Sequence, residues 1–169
     1  MSTKPSSIIK FLHTIENLKT TKRTGWLENN VNKPESISDH MYAAFELPFL
    51  SGDISPSQNI PKEEKHRLES IAMDQLFETL EGAVNPIAVE IKEIWCEYEK
   101  ALTKEALFVK DIDKFEMILQ CFEYEKRQKK KMECFFNSTR GKFQSTFIKS
   151  LVTELLAERE EFFSNLNVQ

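Results

Sequence analysis

Apolar side chains recur at every third or fourth position along most of this chain, and nowhere at a convincing every second position. That spacing is the period of a helix face, so it predicts an all-α fold. Only four glycines and six prolines interrupt 169 residues, which leaves long stretches free to stay helical. A first helix is expected from Ser6 to about Leu18, with Ile8, Ile9, Leu12, Ile15 and Leu18 on its apolar face. Thr20 to Pro34 reads as irregular, with turn signals at Gly25 and Asn29-Asn30. Ser36 or Ser38 then caps a helix running through His40 towards Glu46, which Pro48 interrupts.

Ser51 to Pro61 carries Gly52, Pro56 and Asn59 and is expected to be a loop. After Pro61, the acidic turn Glu63-Glu64 opens a helix reaching about Leu80. Further helices are expected over Pro86 to about Lys100, Lys104 to about Glu125, and Phe143 to about Phe163. In the third of these, Phe108, Ile112, Phe115, Leu119 and Phe122 define the expected buried face. In the last it is Phe147, Leu151, Leu155 and Phe162.

Hydrophobic residues make up 40% of the chain and charged residues 30%, the balance of a globular protein with enough apolar material for a core in one domain, residues 1–169. Thirteen phenylalanines supply much of it. The net charge of −4 argues against a nucleic acid polymer as partner. Lys126-Arg127-Gln128-Lys129-Lys130-Lys131 is the local exception, a localisation signal or phosphate patch in one reading and a solvated helix end in the other. Cys96, Cys121 and Cys134 lack metal-ligand spacing. With no signal peptide and no apolar run long enough for a bilayer, they are expected to be thiols in the cytoplasm or also the nucleus.

Two places stand out chemically. His40 follows Asp39 on the expected second helix. Asp113 lies inside the long helix with Val109 and Met117 one turn away, and a carboxylate there is costly to bury without a partner or a cation. On residue types alone, a packed histidine and a lysine-paired aspartate explain both.

Four stretches, in order along nearly the whole chain, resemble the HD-domain 5′-deoxynucleotidases. The first is Lys22-Arg23-Thr24-Gly25-Trp26 with Val31-Asn32-Lys33-Pro34-Glu35-Ser36-Ile37-Ser38-Asp39-His40-Met41-Tyr42. Gly52-Asp53-Ile54-Ser55-Pro56 follows, with Asn59-Ile60-Pro61-Lys62-Glu63-Glu64-Lys65-His66-Arg67. The others are Phe108 to Gln120, containing Lys110-Asp111-Ile112-Asp113-Lys114, and Ser138-Thr139-Arg140-Gly141-Lys142-Phe143.

The resemblance implies a helical bundle, commonly dimeric, that hydrolyses deoxynucleoside 5′-monophosphates with a divalent ion (Mn, Co or Mg). In that family a histidine, a consecutive His-Asp pair and a distant aspartate hold the ion, which polarises the phosphate and activates a water. His40 matches the first ligand and Asp113 the last. Arg23 matches a phosphate- and sugar-contacting position, Trp26 an aromatic that excludes the ribose 2′-hydroxyl, and Asp53 an acidic residue beside the sugar.

The His-Asp pair itself has no counterpart here. His13 is followed by Thr14 and His66 by Arg67, while Ala43 to Ser51 stands where the family carries part of one helix and the next helix, which bears the pair and a water-handling glutamate. The pattern reads as an internal deletion between about residues 43 and 51, so that part of the central helices is missing. Two functional classes follow. One is a 5′-deoxynucleotidase with replacement ligands such as Glu46 or Glu116, or ligands from a second chain. The other is an inactive variant that binds nucleotide or joins intact subunits.

Overall fold

The structure, a computed structural model, describes residues 5–15, 17–44 and 61–166. Among these, the backbone forms nine α-helices and one 3₁₀ turn, with no strand beyond an isolated antiparallel bridge between Lys22 and Ser36. The chain is all-α, as its periodicity dictates. It divides into two compact units, Met1–Lys100 and Ala101–Gln169.

The first unit contains α1 (Pro5–Ile15), α2 (Asn17–Thr20), α3 (Thr24–Glu28), α4 (Ile37–Ala44), α5 (Lys62–Thr79), the 3₁₀ turn Gly82–Val84 and α6 (Pro86–Lys100). Of the apolar face expected at the start, Leu18 is buried, but Ile8, Ile9 and Leu12 are exposed. Helical spacing shows that a face exists and not that something covers it. The stretch read as irregular contains α3, a helix too short to leave a periodic pattern. The end of the helix expected to reach Glu46, Pro48, the loop from Ser51 and Asp53 lie outside the described residues.

The α5 helix begins where Pro61 and the acidic pair Glu63-Glu64 predict and buries Ala72, Met73 and Leu76. It stops because Glu81 and Gly82 both take left-handed conformations, φ 69° and 56°. At Gly82 a Cβ would press to 3.3 Å from the side chains of Glu78 and Phe77, so glycine suits the turn twice over. Asn85 then links the turn to α6. Its side-chain amide donates to the Leu80 carbonyl at 2.8 Å, and its oxygen accepts from the Ile87 N–H at 3.1 Å, capping the new helix.

The second unit contains α7 (Lys104–Gln128), α8 (Glu133–Thr139) and α9 (Thr146–Leu166). Thr103 caps α7 by accepting from the Ala106 N–H at 3.1 Å. The expected buried faces need correction here. Phe122 and Leu155 are buried, but Phe108, Leu119 and Phe147 are exposed. The face that α7 buries runs through Asp111, Ile118, Cys121, Phe122, Tyr124 and Glu125, and that of α9 through Ile148, Leu155, Arg159 and Phe163.

The physical reason is an ionic element in the core. Arg159 donates to Glu125 from Nε at 2.6 Å and from Nη2 at 2.8 Å, and to Glu133 at 2.9 Å. The Phe136 ring lies 3.9 Å from its guanidinium carbon. Counting apolar residues alone misses a face that includes charges. The basic run is absorbed by the same unit. Lys126 pairs with Glu123 and Glu158, Arg127 lies over Tyr124 and Lys131 over Phe163, while Lys129 turns left-handed and ends α7.

Candidate functional site

Two segments of the first unit run antiparallel for a few residues and create a rigid corner. The Ile37 N–H donates to the Thr21 carbonyl at 2.9 Å, and the Arg23 N–H to the Glu35 carbonyl at 3.3 Å. Arg23 then starts α3, which carries Trp26 into the interior at 1% exposure. Glu35 precedes α4. Its Oε1 accepts from Arg23 Nη1 at 2.9 Å and from Trp26 Nε1 at 2.9 Å.

One carboxylate oxygen therefore fixes both side chains, and the Arg23 guanidinium lies 5.4 Å from the Trp26 ring centre. The side chains of Arg23 and Glu35 are 13% and 11% exposed, so the pair is largely removed from water. A pair this sheltered is short and directional, and removing one partner strands the other.

The α4 helix aims His40 at the same corner. Ser36 and Asp39 cap its start reciprocally. The Ser36 hydroxyl accepts from the Asp39 N–H at 3.2 Å, and Asp39 Oδ2 accepts from the Ser36 N–H at 2.8 Å. The bond from the Ser36 N–H, and then one that the Ser36 hydroxyl donates to Oδ2 at 2.7 Å, hold the Asp39 carboxyl below its usual range. Asp39 is therefore a helix cap. The next residue, His40, is 5% exposed, and a ring nitrogen lies within 4.8 Å of a Glu35 carboxylate oxygen. An imidazole nitrogen and a carboxylate oxygen that close fit a divalent ion, as two of the three or more protein ligands such sites use.

The structure thus brings Arg23, Trp26 and His40 together, and it places Glu35 among them. Glu35 stands in the same motif as His40 but is not among the site residues expected from the sequence. The available signal was chemical: a buried tryptophan N–H and a sheltered arginine both need an acceptor.

Asp113 lies on α7 in the second unit, half-buried, and Glu116 is buried one turn further on. The deeply buried carboxylate of that helix is Asp111, at 1% exposure. Its Oδ2 accepts from the backbone N–H groups of Gln144 and Ser145, both at 2.7 Å, and Lys114 sits 3.1 Å from its Oδ1. Burial opposes its charge, but the bonds from Ser145 and Gln144 and the Lys114 ammonium outweigh it and hold the carboxyl below its ordinary range. Asp111 ties α7 to the start of α9.

Comparison with known proteins shows the family. Residues 15–50 and 48–155 match a family model described as HD domain, in two segments that meet at the expected deletion. The 5′-deoxynucleotidase hdd1 of Schizosaccharomyces pombe is 41% identical over 189 residues, with 96% of each chain covered. That span exceeds the 169 residues of this chain, so the relative carries internal residues that have no counterpart here. The human 5′-deoxynucleotidase HDDC2 is 40% identical, covering 90% of this chain and 86% of its own. The solved structure of HD domain-containing protein YGK1, a Saccharomyces cerevisiae protein, is 30% identical with a TM-score of 0.63, covering 96% of this chain and 90% of that one. This chain belongs to the HD-domain family, among the 5′-deoxynucleotidases, as a member shortened by an internal segment.

Proposed function

We propose that this chain acts on deoxynucleoside 5′-monophosphates, the substrate class that the names of its relatives imply, and that Arg23 and Trp26 recognise them. The single observation that carries the reading is the corner in which Glu35 holds Arg23 and Trp26 beside His40. Arg23 offers fixed donors to phosphate, and Trp26, at 1% exposure, supports the sugar side of the corner from behind. In this reading Asp53 completes the sugar contact, residues 1–169 form one HD-like domain, and two copies form a dimer in the cytoplasm or nucleus.

His40 and Asp113 are the family ligand positions that remain. The chemistry supplied by a bound Mn²⁺, Co²⁺ or Mg²⁺ is polarisation of the phosphate and a lowered pKa for the attacking water. The reaction in this reading is hydrolysis to a deoxynucleoside and phosphate. The absent His-Asp pair favours a second reading, in which the corner binds the nucleotide without turnover and the chain joins intact subunits.

Phosphate release from deoxy- and ribonucleoside 5′-monophosphates, with the metal added and then chelated, separates the two. Chelator-sensitive release that prefers the deoxy form supports hydrolysis. Nucleotide binding without release, in protein that melts cooperatively, supports the second reading, and neither binding nor release overturns both.

A further inference from the structure

Helices α5 and α6 carry another set of ligand-type side chains, built from none of the corner's residues. His66 and Glu69 are three positions apart on α5 and so share a face. Glu99 comes from the last turn of α6. One ligand atom from each of the three lies within 4.8 Å of the other two. The closest pair, His66 Nδ1 and Glu99 Oε2, is 3.1 Å apart. Donors bound at about 2.1 Å to a first-row divalent ion stand roughly 3.0–3.5 Å from one another, so this pair needs no rearrangement of the helices.

The ring is also oriented in advance. Trp95, one turn before Glu99 on α6, stacks on His66 with 6.0 Å between ring centres and 4° between planes. The indole limits the planes that the imidazole can adopt. A histidine and a glutamate three apart on one helix, met by a glutamate from a neighbouring helix, is also how helical bundles assemble such sites.

The ordinary alternative is a pair of surface ion pairs, His66 with Glu99 and Lys65 with Glu69, the second at 3.5 Å. Exposed pairs of that kind contribute about 0–1 kcal/mol. They account for two separate contacts. They give no reason for the convergence of all three ligand atoms or for the stacked indole.

We propose that His66, Glu69 and Glu99 bind a divalent transition ion, with water completing its coordination. One imidazole and two carboxylates suit Zn²⁺, Co²⁺ or Mn²⁺, with Mn²⁺ the weakest in the affinity order. Uptake replaces the proton on Nδ1: a charged ring releases it to solvent, and a neutral ring protonated there moves its proton through solvent to Nε2. The bound ion ties α5 to α6 and raises the stability of the folded chain.

The test is a Co²⁺ titration of the full chain followed by visible absorption, with a Zn²⁺ titration by calorimetry. The proteins compared are the wild type, His66→Gln, Glu99→Gln and Lys65→Ala, each first shown to be helical by circular dichroism. These side chains are at the surface, and His66→Gln is expected to fold. His66→Gln and Glu99→Gln should each weaken binding at this site at least tenfold. Lys65→Ala, which removes a competing cation from Glu69, should leave binding intact or tighten it. Wild type that binds neither metal overturns the proposal. So does binding that survives both His66→Gln and Glu99→Gln, since it reports a site elsewhere, such as His40.

Discussion

Two arginine–glutamate pairs, one in each unit, share their chemistry and differ in what they hold. In the second unit Glu125 gives both oxygens to one guanidinium, and the Met132 N–H also donates to Oε1. Its partner Arg159 reaches Glu133 as well, so one cation joins α7, α8 and α9. Glu125 has no exposure at all. In the first unit Glu35 divides a single oxygen between Arg23, which starts a five-residue helix, and Trp26 within that helix. The first arrangement locks helices to one another. The second fixes the position of side chains beside His40. The same pair of residue types thus bridges helices in one unit and fixes side-chain positions in the other.

The comparison is broken most easily at Arg159. Arg159→Ala leaves Glu125 charged, buried and without its main partner, which should cost about 3–5 kcal/mol. Chemical denaturation monitored by helicity measures it, as a large fall in the midpoint with little change in slope. A loss below about 1 kcal/mol would show that the network is incidental and that the apolar contacts of Phe122, Phe136 and Phe163 hold the unit alone.

Asp111 gives a smaller effect of the same structural kind. It accepts two backbone hydrogen bonds at the start of α9, each of which contributes about 1.5–3 kcal/mol when the acceptor is charged. Asp111→Ala should therefore cost about 2–3 kcal/mol after relaxation. Its folded carboxyl is held below the unfolded value by those bonds and by Lys114, against the opposing effect of burial. Its contribution is accordingly complete above the unfolded pKa of about 3.9, and is lost as the pH falls from there through the lower folded value. Denaturation midpoints measured from pH 6 to pH 2 should fall less steeply in Asp111→Asn than in the wild type. Parallel curves would mean that Asp111 carries no part of the acid response.

These residues also show what the sequence makes legible. Helix starts marked by Pro61 and Ser36 can be read directly, because the signals that start a helix lie within a few residues of one another. The exposed Phe147 and Phe108 cannot, because periodicity does not say which side of a helix meets another. The buried Asp111, Glu125 and Arg159 cannot either, because the partners that tie their helices to others lie 26 to 34 positions away. At the corner, the motif resemblance marks Arg23, Trp26 and His40, while Glu35 emerges only when the fold supplies its two donors. His66 was visible as a residue. Its convergence with Glu99 depends on how α5 and α6 pack, which no local pattern records.

The smallest effect and the sharpest test fall on Glu35. Glu35→Gln keeps an acceptor oxygen of nearly the same shape, so Arg23 and Trp26 can both still donate to it. What changes is charge: Arg23 loses its counterion, and its guanidinium is held less firmly. If the corner is a site, deoxynucleoside monophosphate binding measured by calorimetry should weaken about tenfold, equivalent to about 1.4 kcal/mol. The denaturation midpoint should move much less than it does in Arg159→Ala. A stability loss matching that of Arg159→Ala, with binding unchanged, would make the corner a second structural lock and remove the contrast. A loss confined to binding ties the Glu35 charge to the position of Arg23, and so to recognition of the phosphate.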